Sequence, residues 1–229
     1  MASTLLPLAG FTAFFTLLHV LAIANVEPAY ARAFKLSRGV AAAVLTALGV
    51  AALVDAVPHW RSAFLYAHEA DDWMRLGVLC IYGHLLSDFA WMGVGRWRFG
   101  VKPRPDLVIH HLLGLLGFGA ALLLEVGYAL ALITMITELM PVTTGIHALG
   151  KRIAAPALVD GSERARLHVL VWLRLPLWLT LLTLTVTVLL LGTPGSLLAA
   201  YVVAFFGLLG LVSLDVYWIG KCRQHVDFY

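Results

Sequence analysis

Seven apolar runs follow one another along this chain, and each is long enough to cross a lipid bilayer. A hydrocarbon core of about 30 Å takes about 20 apolar residues per helix. The runs are Leu5 to Val26, Val40 to Val57, Leu76 to Gly95, Leu107 to Leu124, Tyr128 to Leu149, Leu167 to Leu191 and Leu197 to Gly220. Inside lipid the backbone has no water to bond, so each run must satisfy its own amides, which it does as a helix. With 61% hydrophobic and only 13% charged residues over 229 positions, almost nothing is left for a soluble domain. The sequence therefore predicts an all-α integral membrane protein with seven transmembrane helices.

No basic residue precedes the first run, and it is too long for the core of a cleaved leader, so it reads as a retained span. The loops are strongly asymmetric. Arg32, Lys35 and Arg38 follow span one; Arg96, Arg98, Lys102 and Arg104 follow span three; Lys151, Arg152, Arg164 and Arg166 follow span five; Lys221 and Arg223 follow span seven. Thus 13 of the 16 basic residues fall on one side. The other side holds only Arg61 and Arg75, beside Glu69, Asp71 and Asp72, and Arg174 alone lies within a span. Lys and Arg near span ends set orientation, which predicts an outside amino terminus and a cytoplasmic carboxyl terminus, in a bacterial inner membrane or an endoplasmic reticulum. A net charge of +3 made of such loops calls for no nucleic acid. Cys80 and Cys222 offer no disulfide framework and no metal-ligand spacing.

Ionisable residues inside lipid-spanning segments are rare and mark functional sites by default. His110 and His111 sit in an otherwise apolar stretch. Measured along a helix from the nearest basic residue, His111 lies about 10 Å in, Asp88 and Arg174 about 12 Å and Asp215 about 9 Å. His147 is shallower, and Glu138 is deeper at about 20 Å. Five spans thus send an ionisable group into the same half of the membrane. Such groups also serve as plain interhelical glue, and for Arg174 and Asp215 taken singly that reading has equal weight.

Neighbours on a helix point about 100° apart, so His110 and His111 cannot both face one axis. They lie in the first turns of span four, where the helix dipole favours neutral imidazole and developing negative charge. Asp106 is placed either to orient His110 or to start the helix. His84 and Asp88 share one face of span three at i, i+4, and a carboxylate holding an imidazole tautomer prepares a histidine as base or nucleophile. Pro141 has no N–H for Thr137, and Pro176 none for Trp172, so spans five and six should open near Glu138 and Arg174. Gly114, Gly117 and Gly119 give span four a small face, suited to a close helix or to an apolar chain. Thr180, Thr183, Thr185 and Thr187 should bond back to their own helix.

The stretch Tyr82-Gly-His-Leu-Leu-Ser-Asp88, then Arg104-Pro-Asp-Leu-Val-Ile-His110-His111, Thr137-Glu138-Leu-Met-Pro141, Arg174 and Asp215-Val-Tyr-Trp218-Ile-Gly-Lys221 resembles the TLC-domain family, which includes the ceramide synthases. The resemblance implies six spans, residues 31–229, enclosing a cytoplasm-facing cavity, with residues 1–30 as an extra amino-terminal helix. It also implies acyl transfer, with His110 and His111 as the catalytic centre assisted by Asp88 and Asp215, and with Glu138, Arg174, His84, His147 and Trp218 around the substrate. Fatty acyl coenzyme A is then the co-substrate and a lipid amine or hydroxyl the acceptor; no other cofactor is expected, and a homodimer is left open. Glu138 is followed here by Leu139-Met140-Pro141, where the smaller family members commonly have Ser or Thr, and Leu112 to Leu124 contains no acid, where the ceramide synthases have an acid-rich run.

The expected mechanism has two displacements: a histidine takes the acyl group while the amino terminus of span four steadies the oxyanion, and the acceptor then removes it. Two other classes compete. A lipid-binding protein would hold the chain without turning it over, and a transporter would gather its polar groups nearer the midplane. A histidine-box metal enzyme is disfavoured, because His19, His59, His68, His84, His110, His111, His147, His168 and His225 form no clustered boxes; His59, His68, His168 and His225 fall in or near loops.

Overall fold

The computed structural model describes residues 2–25, 30–60, 72–192 and 195–223. Arg61, His68, Glu69, Asp71 and His225, read above as loop residues, lie outside the described residues. The helices are α1 (Ala2–Asn25), α2 (Tyr30–Ala56), α3 (Asp72–Phe99), α4 (Pro105–Leu124), α5 (Tyr128–Ile133), α6 (Leu139–Arg152), α7 (Pro156–His168), α8 (Leu175–Gly192) and α9 (Gly195–Arg223). No strand occurs among the described residues. Among the described residues, seven helical segments are long and apolar enough to cross a membrane, at 4–25, 30–59, 72–99, 105–124, 128–152, 156–192 and 197–223. Each overlaps one of the seven runs, because backbone self-sufficiency in lipid leaves a long apolar run no alternative to a helix. Span two, however, begins at Tyr30 rather than Val40 and span six at Pro156 rather than Leu167, so Arg32, Lys35, Arg38, Arg164 and Arg166 stand on helices and not in loops.

Two spans are not uniform, and both breaks fall at the expected prolines. Span five passes from α5 through a 3-10 stretch, Thr134–Glu138, into α6 just before Pro141. Span six passes from α7 through a π-helical stretch, Val169–Arg174, into α8 just before Pro176. In each case a missing proline N–H leaves a carbonyl without its i+4 donor, and the helix changes pitch around it.

Packing is tightest where side chains are absent. A Cβ on Gly39 of α2 would come within 2.9 Å of the Gly145 Cα of α6, and one on Gly49 within 2.7 Å of the Ile136 amide nitrogen. Lipid tails are as apolar as leucine, so helices in a bilayer gain from such close backbone approach. The buried core beside these crossings is Phe15, Leu45, Val78, Ile81, Leu132 and Ile133, while Leu6, Leu116, Leu123 and Leu190 face outward. The basic helix ends meet at one end of the bundle: Arg152 Nη2 donates to the Asn25 carbonyl at 3.0 Å, and Lys35, Arg104, Lys151 and Arg166 gather there. At the opposite end Arg75 Nη2 donates to Thr4 Oγ1 at 2.7 Å.

Helix α1 packs on α3 and α2, α4 lies between α3 and α9, and α8 runs against α9. Spans two to seven surround a cavity of about 170 Å³. Span one stays outside it, lending its inner face to α3.

Candidate functional site

The buried ionisable groups form one continuous belt across all seven spans. At one end Asp88 of α3 is a hub. Its Oδ1 accepts from His19 Nε2 of α1 at 2.9 Å. Its Oδ2 accepts from Arg38 Nε of α2 at 2.5 Å and from His111 Nε2 of α4 at 3.1 Å, and His84 Nε2 lies 3.7 Å away, the one-turn relation read from the sequence. His19 Nδ1 is 2.5 Å from Ser37 Oγ. A fully buried carboxylate is stable in the bundle only with such compensation, since an uncompensated charge in an apolar interior is very costly.

At the other end Arg174 and Asp215 form a forked ion pair. Arg174 Nε reaches Asp215 Oδ2 at 2.9 Å, and Nη2 reaches Oδ1 at 2.9 Å. Trp178 Nε1 adds a bond to Asp215 Oδ2 at 3.1 Å. Arg174 Nη1 donates to the Thr137 carbonyl at 2.8 Å, the position where Pro141 has no N–H to offer. Opening span five thus creates the acceptor that span six uses.

Between these networks stands a pair with room around it. His110 Nε2 faces Glu138 Oε1 at 3.8 Å, and both residues line the cavity. Nδ1 of His110 and Nδ1 of His84, another lining residue, have no hydrogen-bond partner among the described residues. His110 packs against His111 and Trp218, with ring centroids 5.6 Å away in both cases. Trp218 is held in turn by Asp106, whose Oδ2 accepts from its Nε1 at 2.6 Å and also from Arg104. Asp106 therefore supports His110 through Trp218 and does not bond it directly.

The two histidines have different surroundings. Both nitrogens of His111 are engaged, Nδ1 with the Leu107 carbonyl at 2.9 Å and Nε2 with Asp88. His110 alone of the two faces the cavity. The turn of about 100° between neighbours divides them between a fixed belt and an open space.

The remaining sequence-predicted residues divide as well. His84, His110 and Glu138 line the cavity; His111, Asp88, Arg174, Asp215 and Trp218 stand behind its wall. Asp215 bonds Arg174 and Trp178, with no hydrogen bond to either histidine. His147 lies on α6 with Nδ1 3.5 Å from Glu163 Oε1 of α7, away from the cavity. The first-turn amides expected to steady an oxyanion are occupied, since the N–H groups of Leu107 and Val108 both donate to the Arg104 carbonyl at 3.1 Å.

Three members of the belt escaped sequence reasoning. Arg38 was counted with a loop, although it enters the bundle about 12 Å from the start of α2 and bonds Asp88. His19 lies about 9 Å from the end of α1 at Asn25, level with the others; measuring from a basic residue rather than from the helix end hid it. Trp178, a residue type ordinary in any apolar span, carried no signal at all.

From His84, His110, Thr137 and Glu138 the cavity runs away from the basic end, past Leu113, Gly117 and Ala121 of α4 and Gly207, Ala204 and Ala200 of α9. Along α4 it spans about 16 Å from His110 to Ala121. The arrangement is a polar head over an apolar shaft, suited to a long-chain amphiphile. Among the described residues no group of three or more His, Cys, Asp or Glu is placed to hold a metal ion. Residues 36–222 match the family model of the TLC domain. No curated protein and no solved structure gives a significant match to the chain.

Proposed function

Because the chain belongs to the TLC-domain family, whose members are membrane proteins connected with lipids, we propose that it is a membrane-embedded acyltransferase acting through His110. The observation that carries this reading is the His110–Glu138 pair at the polar head of an apolar cavity. Glu138 Oε1, 3.8 Å from Nε2, is the carboxylate placed to take the Nε2 hydrogen when the two groups close on a bound substrate, which leaves the Nδ1 lone pair as nucleophile, the usual way in which a carboxylate prepares an imidazole.

In the first step Nδ1 attacks the carbonyl carbon of a fatty acyl thioester such as acyl coenzyme A, the C–S bond breaks and the thiolate leaves. The Nε2 proton passes to Glu138, giving a neutral acyl-imidazole. In the second step an amine or hydroxyl of a lipid acceptor attacks that carbonyl, the C–N bond breaks, and Glu138 returns its proton to Nε2. The acceptor's own proton is released to water and protonates the thiolate set free in the first step, so the sum is a thioester and an acceptor exchanged for an amide or ester and a free thiol. Asp88 holds His111, and Asp106 holds Trp218, so that the His110 ring is walled on two sides. His84 lies close enough to meet the substrate head. Arg174 and Asp215 fix spans six and seven around it.

In this reading the basic end is cytoplasmic, so a water-soluble donor arrives on the side where the polar head lies shallowest. One chain lines the whole cavity, and a homodimer is not required for it. The test is labelled acyl transfer by purified protein, with intact-mass detection of a histidine-bound acyl group. His110→Ala should lower turnover at least about a hundredfold and abolish the adduct. Full turnover in His110→Ala would overturn the proposal.

A second reading is favoured by the saturation of Asp88, His111, Arg174 and Asp215 with interhelical bonds. A protein that only holds lipid needs that glue and no turnover. Lipid co-purifying in native mass spectra that changes with His110→Ala, with no product in any assay, identifies it.

A further inference from the structure

Gly114, Gly117 and Gly119 lie on one helix, yet they do different things. A Cβ on Gly114 would meet Leu85 at 3.0 Å and one on Gly119 would meet Tyr82 at 3.4 Å, so these two admit α3. A Cβ on Gly117 would meet nothing within 4 Å, although Gly117 lines the cavity. Gly207 of α9 also lines the cavity and also has nothing within 4 Å of its missing Cβ.

The two glycines share a level. Helices α4 and α9 are antiparallel neighbours, and a Cβ on Gly210 would lie 2.8 Å from Leu113 Cδ1, which registers the two helices. Four residues beyond Leu113 on α4 is Gly117; four residues back from Gly210 on α9 falls one residue from Gly207. A missing side chain on each of two facing helices therefore leaves space at the same height, about 10 Å below His110. Small residues alone would say nothing of a ligand. Here the shaft is capped by His84, a residue only 2% exposed whose Nδ1 has no partner among the described residues.

We propose that Gly117 and Gly207 set the acyl-chain length this protein accepts, by leaving open a passage through which the tail of a fatty acyl group threads from the His110–Glu138 head towards Ala121 and Ala200. This rests on the acyl-chain reading of the cavity. An extended chain gains about 1.2 Å per bond, so one anchored at His110 reaches the glycine level after about eight carbons and Ala121 after about thirteen. Each methylene buried beyond the glycines adds to affinity, and a side chain in the passage removes that addition for long tails only.

The experiment compares octanoyl and palmitoyl coenzyme A on the full-length protein in lipid nanodiscs, measuring both equilibrium binding and transfer. The variants are Gly117→Leu, Gly207→Leu and the milder Gly117→Ala, with Gly93→Leu on the exposed face of α3 as control, where a Cβ also meets nothing within 4 Å. The expected result is a palmitoyl-over-octanoyl binding preference that falls at least about tenfold in each Leu variant, less in Gly117→Ala, and not in Gly93→Leu. Unchanged preference in both Leu variants that retain wild-type octanoyl binding overturns the proposal, as does failure of palmitoyl coenzyme A to bind the wild type. If the binding preference shifts while no product forms, the passage stands and the transferase reading falls; if wild-type transfer proceeds and chain preference is unmoved, the reverse holds.

Discussion

At the residue scale, neighbouring histidines with the same intrinsic chemistry are separated by what surrounds them. His111 has both ring nitrogens bonded and closes the Asp88 hub, whereas His110 lines the cavity and its Nδ1 has no hydrogen-bond partner among the described residues. Replacement of His111 by Ala should therefore act first on stability, because it withdraws one of the bonds that compensate a buried carboxylate. We expect a loss of about 1–3 kcal/mol, read as a lower midpoint of thermal unfolding, with residual transfer. His110→Ala should show the opposite pattern, with unfolding near that of the wild type and transfer lost. The forked pair makes a sharper demand: Arg174→Met leaves Asp215 uncompensated and should destabilise by about 3–5 kcal/mol. The double variant Arg174→Met with Asp215→Leu should recover most of that loss in the same unfolding assay, since no charge is left stranded.

At the element scale, the helices are placed by backbone features more than by polar contacts. The Gly39–Gly145 crossing allows α2 and α6 to touch, and Gly145→Leu should force them apart; we expect about 1–3 kcal/mol of destabilisation and a drop in folded yield on size-exclusion chromatography. Pro141 has a different effect. It leaves the Thr137 carbonyl for Arg174, and Pro141→Ala would supply a competing N–H. Weaker binding of acyl probes with nearly unchanged unfolding is the expected outcome. Helix α1 lies outside the matched residues 36–222 and outside the cavity wall, yet it delivers His19 to Asp88. Its removal should lower transfer as well as stability, while a His19→Gln change, which keeps a hydrogen-bond donor, should preserve most of both.

At the scale of the whole molecule, charge asymmetry and cavity polarity agree on direction. Basic helix ends meet at one end of the bundle, and the polar head of the cavity lies nearer to that end than its apolar shaft does. In a protein stripped of Cys80 and Cys222, single cysteines replacing Lys102 or Arg164 should react with a membrane-impermeant thiol reagent only from the cytoplasmic side, and one replacing Asp72 only from the other. The reverse pattern would place the donor site on the wrong side for acyl coenzyme A.

The seven spans and the two broken helices were legible in the sequence, because each follows from a local rule. Apolar length demands a helix in lipid, and proline removes a donor wherever it stands. The half of the bundle in which the ionisable groups meet was also legible, since depth is residue number times helical rise. Only the tertiary structure decided which of these groups are partners. It gave Asp88 to His111 and His19, gave Asp215 to Arg174, set His147 apart with Glu163, and turned His110 rather than His111 towards the cavity. Depth along a helix is a one-dimensional quantity that a sequence carries. The rotation of each helix about its axis is set by close packing at sites such as Gly39 and Gly145, between residues far apart in the chain.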